Sequence, residues 1–142
     1  MAGVYVAFST FVTMSVGRLA PPAGAAAMNA MNVDIARSSF MPLFLGTTLM
    51  ALALVVIALV DRDSPGAMAA LTGGVLYGLG MFAVTLAVNV PLNDALAAAD
   101  PATTHGAALW ARYLHDWTRW NHVRTVASAA ACVSFIAGIA AR

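Results

Sequence analysis

Between Phe40 and Val60 the chain carries no charged side chain, and residues 67–90 and 126–141 are equally free of charge. About 20 such residues cross a hydrocarbon core of about 30 Å, where a helix alone can pair every backbone amide within its own segment. These runs predict an all-α integral membrane protein. Composition agrees, with 61% hydrophobic and 9% charged residues and a mean hydropathy of +0.83, far from the balance of a soluble domain. A length of 142 residues allows one domain and four, at most five, crossings, and four fits best.

The expected spans are residues 1–19, 40–60, 67–90 and 122–141, packed as a four-helix bundle in a single membrane domain covering residues 1–142. The first is short, rising about 28 Å at about 1.5 Å per residue. Either it sits slightly submerged or the chain begins upstream of Met1. A signal peptide is excluded by the missing positive n-region. Residues 23–39 contain Asn29, Asn32, Asp34 and Arg37, too polar to span but periodic enough for a helix near the interface. Asp61-Arg62-Asp63-Ser64-Pro65-Gly66 reads as a tight turn that makes the second and third spans antiparallel neighbours. Gly74 and Gly78 have the small-xxx-small spacing of close helix packing. From His105 one long helix is expected, with Thr104 as its N-cap and an amphipathic, aromatic extension leading into the fourth span.

Net charge is +1, with seven Arg, six Asp and no basic run, which excludes nucleic acid as a partner. Cys132 lies alone in an apolar stretch and reads as a packing residue. The glycine-rich string from Gly73 to Gly80 has neither the spacing nor the lysine of a phosphate loop. Arg62 and Arg142 fall on the side of the termini. Arg18, Arg37, Arg112, Arg119 and Arg124 fall near the opposite face, which the positive-inside tendency places in the cytoplasm.

Polar side chains inside a membrane mark either interhelical packing or function, and here they gather. The alternating direction of the spans brings Asn29, Asn32, Asn89, Asn93, Asn121 and Arg124 to one membrane edge. At about 100° per residue, Trp110, Tyr113, Trp117, Trp120, Asn121 and Arg124 share one helix face. Three Trp, an amide and an Arg on one face describe a pocket that stacks a planar ring and hydrogen-bonds its oxygens; an interfacial aromatic belt is the plain alternative. His115 and His122 fall on the other side without a third ligand, so no metal site is expected.

The string Asn89-Val90-Pro91-Leu92-Asn93, Trp110, and the run Trp117-Thr118-Arg119-Trp120-Asn121-His122-Val123-Arg124-Thr125 together resemble the anthrone oxygenase-like family of small membrane proteins, many of unknown function. Residues 3–12 are similar to that family's first helix, and Phe40-Met41-Pro42-Leu43-Phe44 to the opening of its second. Relatives usually carry more residues before the first glycine. The resemblance implies oxidation of an anthrone to an anthraquinone by molecular oxygen, without cofactor. It further implies that Arg124, Asn93 and Asn121 stabilise an enolate oxygen and that Trp117 and Trp120 stack the ring. Asn32, Asn89, Trp110 and Tyr113 would complete the substrate pocket. The base would be a carboxylate or a histidine, with Asp94 and His122 as candidates.

Two functions stay open at this point: a cofactor-independent oxygenase acting on a planar hydrophobic aromatic such as an anthrone or quinol, and a non-enzymatic membrane binding or accessory protein. The expected partners are membrane lipid, a hydrophobic aromatic small molecule and, as an open alternative, further copies of the chain in a homo-oligomer. The expected location is the bacterial cytoplasmic membrane.

Overall fold

A computed structural model describes residues 1–141, so Arg142 lies outside the described residues. Among these residues every regular element is helical. α1 (Ala2–Gly17) is apolar but short; α3 (Phe40–Val60), α4 (Ala67–Ala98) and α5 (Thr104–Ala140) are long and apolar enough to cross a membrane. α2 (Pro21–Arg37) joins α1 to α3. Its two leading prolines, which end α1, also open α2, since the first helical positions need no N–H donor. The N-cap of α5 is Thr103, one residue before the expected Thr104: its hydroxyl accepts the amide of Gly106 at 3.0 Å, the third residue of the helix.

The membrane reading rests on where the apolar side chains go. α3 buries Phe44, Ala51 and Ala58, two turns apart each time, against α4, while Leu45, Leu49, Leu52, Val56 and Val60 are exposed. Such a surface is stable facing acyl chains and not facing water. Small residues set the close approaches. A Cβ on Gly74 would collide with the Val55 side chain of α3, and one on Gly73 with Phe135 of α5, whereas Gly78 meets nothing. The expected Gly74 and Gly78 pair is therefore half used.

Two helices overrun the bilayer. At about 1.5 Å per residue, the 37 residues of α5 rise about 55 Å and the 32 of α4 about 48 Å, against a core of about 30 Å. α4 does not end near Val90 as expected but continues through Pro91, which stands at the start of a fresh α-helical stretch. The overhang is a second packed core rather than an amphipathic face lying on the membrane. Val16, Ala25, Met28, Leu96, Trp110, Tyr113 and Trp117 bury one another there. α2 covers it, with Gly24 so close to Trp110 that a Cβ would come within 2.7 Å of the ring.

α1 is offset along the bundle. Met1 packs against the cluster that holds Ala51, near the middle of α3, and Ala131 of α5, while Gly17 meets Leu114 in the overhang. α1 leans on α5 and α3 leans on α4, on the same side of the α4 and α5 pair; among the described residues no backbone contact joins α1 to α3. A cleft stays open between them, floored by α4 and α5.

The turn between α3 and α4 closes on Gly66, which has φ 85° and stacks its backbone directly on Gly138 of α5. Gly66→Ala should lower thermal stability in detergent by more than the roughly 1 to 2 kcal/mol of a left-handed alanine, because the new Cβ also strikes the Gly138 carbonyl. An unchanged melting temperature would show that the turn relaxes freely.

Candidate functional site

The cleft deepens into a cavity of about 260 Å³ at the start of α3. α1 contributes Tyr5 and Phe8, α2 Asn32 and Ile35, α3 Phe40 and Phe44, α4 Thr85 and Asn93, and α5 Trp117, Asn121 and Arg124. Its walls are mostly aromatic and aliphatic with a polar floor, and its volume lies near the lower end of small-molecule pockets, about 300 to 1,000 Å³.

Wide helical turns shape the walls. Phe8–Val12 of α1 and Leu76–Ala83 and Thr85–Asn89 of α4 are wound with π-helical hydrogen bonding, which enlarges the turn and shifts the faces of the residues that follow. Ser9 lies within the first of these stretches and meets Asn121 of α5, and Thr85 opens the last and meets Arg124. α5 itself is α-helical from Thr104 to Ala140, so its side chains keep the regular arc.

Arg124 is the centre of the floor. Only 5% exposed, it donates Nη2 to Asn121 Oδ1 at 2.7 Å and Nη1 to Thr85 Oγ1 at 3.3 Å. Its guanidinium lies 4.6 Å from the Tyr5 ring centroid and 5.1 Å from that of Trp117, a cation–π pairing on two rings. No carboxylate neutralises it: among the described residues the one ion pair is His115 with Asp116. A guanidinium stays protonated, so this is a desolvated charge balanced only by neutral dipoles and ring faces.

Asn121 ties this charge to α1. Its Nδ2 donates to the Tyr5 carbonyl and to Ser9 Oγ, each at 2.8 Å. Thr125 donates its hydroxyl to the Asn121 carbonyl and stands 2.9 Å from Ser9 Oγ, so the Ser9 hydroxyl must donate to Thr125 and accept from Asn121. That one-way chain fixes the amide with its oxygen toward Arg124, an orientation otherwise ambiguous for an asparagine.

Three lining side chains keep a buried donor without a partner: Asn32 Nδ2, Trp117 Nε1 and Arg124 Nε. Asn93 accepts the Tyr113 hydroxyl on Oδ1 at 2.8 Å, so the polar group its amide has left is again a donor. Native interiors rarely leave buried polar atoms unpaired, and here the surplus is all of one kind, N–H groups around a cavity.

The other candidates are placed as follows. Asn89 is buried behind the floor, where its Nδ2 donates to the Trp117 carbonyl at 3.3 Å. Tyr113 stacks between Trp110 and Trp117, at centroid distances of 5.7 and 6.2 Å, and all three are buried. They form the overhang core, not an interfacial belt. Trp120 is 37% exposed and outside the cavity. Asp94 and His122 are exposed; His122 lies beside Arg119 in a separate outer groove. Asn29 is half-buried with Oδ1 unpaired and does not line the cavity. Tyr5, Phe8, Ser9 and Thr85 belong to the site without having been singled out from sequence. Hydroxyls at Ser9 and Thr85 inside apolar runs were the available signal.

The family described as anthrone oxygenase matches residues 33–134, a range that holds α3, α4 and α5 as far as Ser134 but not Tyr5, Ser9 or Asn32. No curated protein matches the chain, and no solved structure does.

Proposed function

This chain belongs to the anthrone oxygenase family, and we propose that its cavity binds a planar, oxygen-bearing aromatic of the anthrone type and promotes its oxidation by molecular oxygen. The observation that carries this reading is Arg124, a buried charge with no carboxylate partner among the described residues, set in a cavity whose unpaired polar atoms are donors. Such a floor suits an oxygen that becomes negative. Preorganised donors in a desolvated site stabilise a developing oxyanion far better than water does.

The chemistry needs little else. An anthrone that loses a methylene proton becomes an enolate with its charge on the oxygen that Arg124, Asn93 and Asn32 would face. The enolate carbon reduces dioxygen and bonds to it, giving a hydroperoxide; loss of water then leaves the second carbonyl of the quinone. One dioxygen is consumed and one water released. Phe8, Phe40, Phe44 and Trp117 would hold the rings. The apolar mouth between α1 and α3 favours entry from the bilayer. Exposed Arg18, Arg37, Arg112 and Arg119 at this end, against Arg62 at the other, support a cytoplasmic orientation for the cavity end of a bacterial inner-membrane protein.

The test is oxygen uptake by the detergent-purified protein with anthrone. Uptake above the uncatalysed rate, with the quinone absorption appearing in step, is the expected result. One feature favours the second reading, a binding protein: among the described residues no carboxylate or imidazole lines the cavity. Saturable binding of anthrone without faster oxidation would select that reading.

A further inference from the structure

We infer that the cavity does not deprotonate its ligand but takes up an aromatic oxyanion, enolate or phenolate, already formed outside it. This rests on the proposed planar-aromatic site and specifies the state in which the ligand enters.

The inventory of the walls carries the argument. α1 offers the Tyr5 hydroxyl, which donates to Met81 Sδ at 3.2 Å; α5 offers Arg124; the residues of α2, α3 and α4 that line the cavity are not ionisable. Asp34, Arg37, Asp94 and His122 on the neighbouring surfaces are exposed. Tyr113 stands behind Asn93, with its proton committed to the Asn93 oxygen. Among the described residues no group in the cavity is placed to accept a proton, because an arginine does not give one up and then act as base. Every unpaired lining atom instead donates. A neutral ketone or phenol would leave the Arg124 charge without a counterion, whereas an oxyanion supplies the missing charge and accepts from several donors at once. The proton therefore goes to water or a headgroup before entry, and the bound molecule and Arg124 form the ion pair that the described residues lack.

Two hydroxyanthraquinone isomers test this, since they ionise with a visible colour change and have no methylene to oxidise. In one the hydroxyl is free; in the other it is tied to the neighbouring quinone oxygen and is the weaker acid. Binding to the whole protein in detergent is read by tryptophan quenching and by the absorption of the bound dye across pH. Affinity should rise about tenfold per pH unit up to each dye's own acid constant and then level. The break should move with the dye. Bound dye should show the anionic spectrum at a pH where free dye is neutral, and Arg124→Gln should lose that spectrum while Arg124→Lys keeps it.

Equal, pH-independent binding of the neutral dyes and of unsubstituted anthraquinone would overturn the inference, and continued anthrone oxidation in the same preparation would leave the proposed function standing. A break at one fixed pH for both dyes would also overturn it, by assigning the titration to the protein. Failure to bind any of the three would remove the planar-aromatic site and the inference together.

Discussion

Arg124→Gln is expected to slow anthrone oxidation roughly a hundred- to a thousandfold, the usual loss when a donor to a developing oxyanion is removed, while leaving the protein close to native stability. The second half follows from competing terms. Removing the guanidinium forfeits its bonds to Asn121 and Thr85, about 1.5 to 3 kcal/mol each for a charged donor. It also removes a buried charge whose desolvation costs several kcal/mol, with no carboxylate nearby to be left unpaired. The two nearly cancel, so melting in detergent should shift little. Arg124→Lys keeps the charge but not the planar fork that spans Asn121 and Thr85, and its turnover should fall between native and Gln. Parallel loss of folding yield and activity in both variants would show a structural arginine instead. A fully active Gln variant would take Arg124 out of the site.

How far the sequence could be read depends on helical regularity. α5 obeys a period of about 100° per residue throughout, so Trp110, Tyr113, Trp117, Asn121 and Arg124 were assigned to one face, and that face is buried. Trp120 sits at the edge of the same arc and turns outward, a margin of a few tens of degrees that composition cannot decide. α1 and α4 contain π-wound turns, and no residue pattern announced them. Across such a turn the helical wheel loses phase, which hides the places of Ser9 and Thr85, while Tyr5, ahead of the wide turn of α1, reads as one more aromatic in an apolar run. The apolar runs gave the membrane class directly, because lipid leaves a backbone no other solution. They could not give the overrun of α4, since Leu96 is as apolar as a span and only its packing with Met28 of α2 and Trp110 of α5 places it beyond one.

The largest loss of stability is expected from Asn121→Leu. The side chain is fully buried and serves three partners: Nδ2 gives to the Tyr5 carbonyl and Ser9, and Oδ1 receives from Arg124. Leucine fits the volume and answers none of them. Each buried group left unpaired costs about 1 to 3 kcal/mol, and more for a charge, so a total of at least about 3 kcal/mol is expected, with the guanidinium dominating. α1 should suffer first, since its backbone packs against α5 and α2 and nowhere against α3 or α4 among the described residues. Protease or hydrogen-exchange protection of residues 2–17 should fall before that of α3 or α4. Asn121→Asp separates the two halves of the role: it keeps the acceptor toward Arg124, now as an ion pair, and removes both donations to α1. It should therefore retain more stability than Leu yet bind the anionic dye weakly, because the charge the ligand needs is already neutralised. Ser9→Ala supplies the control. Combined with Asn121→Leu it should add much less than its own effect, a coupling of about 0.5 to 3 kcal/mol expected of residues in one hydrogen-bond chain. Strict additivity would mean that Ser9 and Asn121 stabilise the junction independently, and an Asn121→Leu protein as stable as the native one would mean that ring packing by Tyr5 and Phe8 alone holds α1 in place.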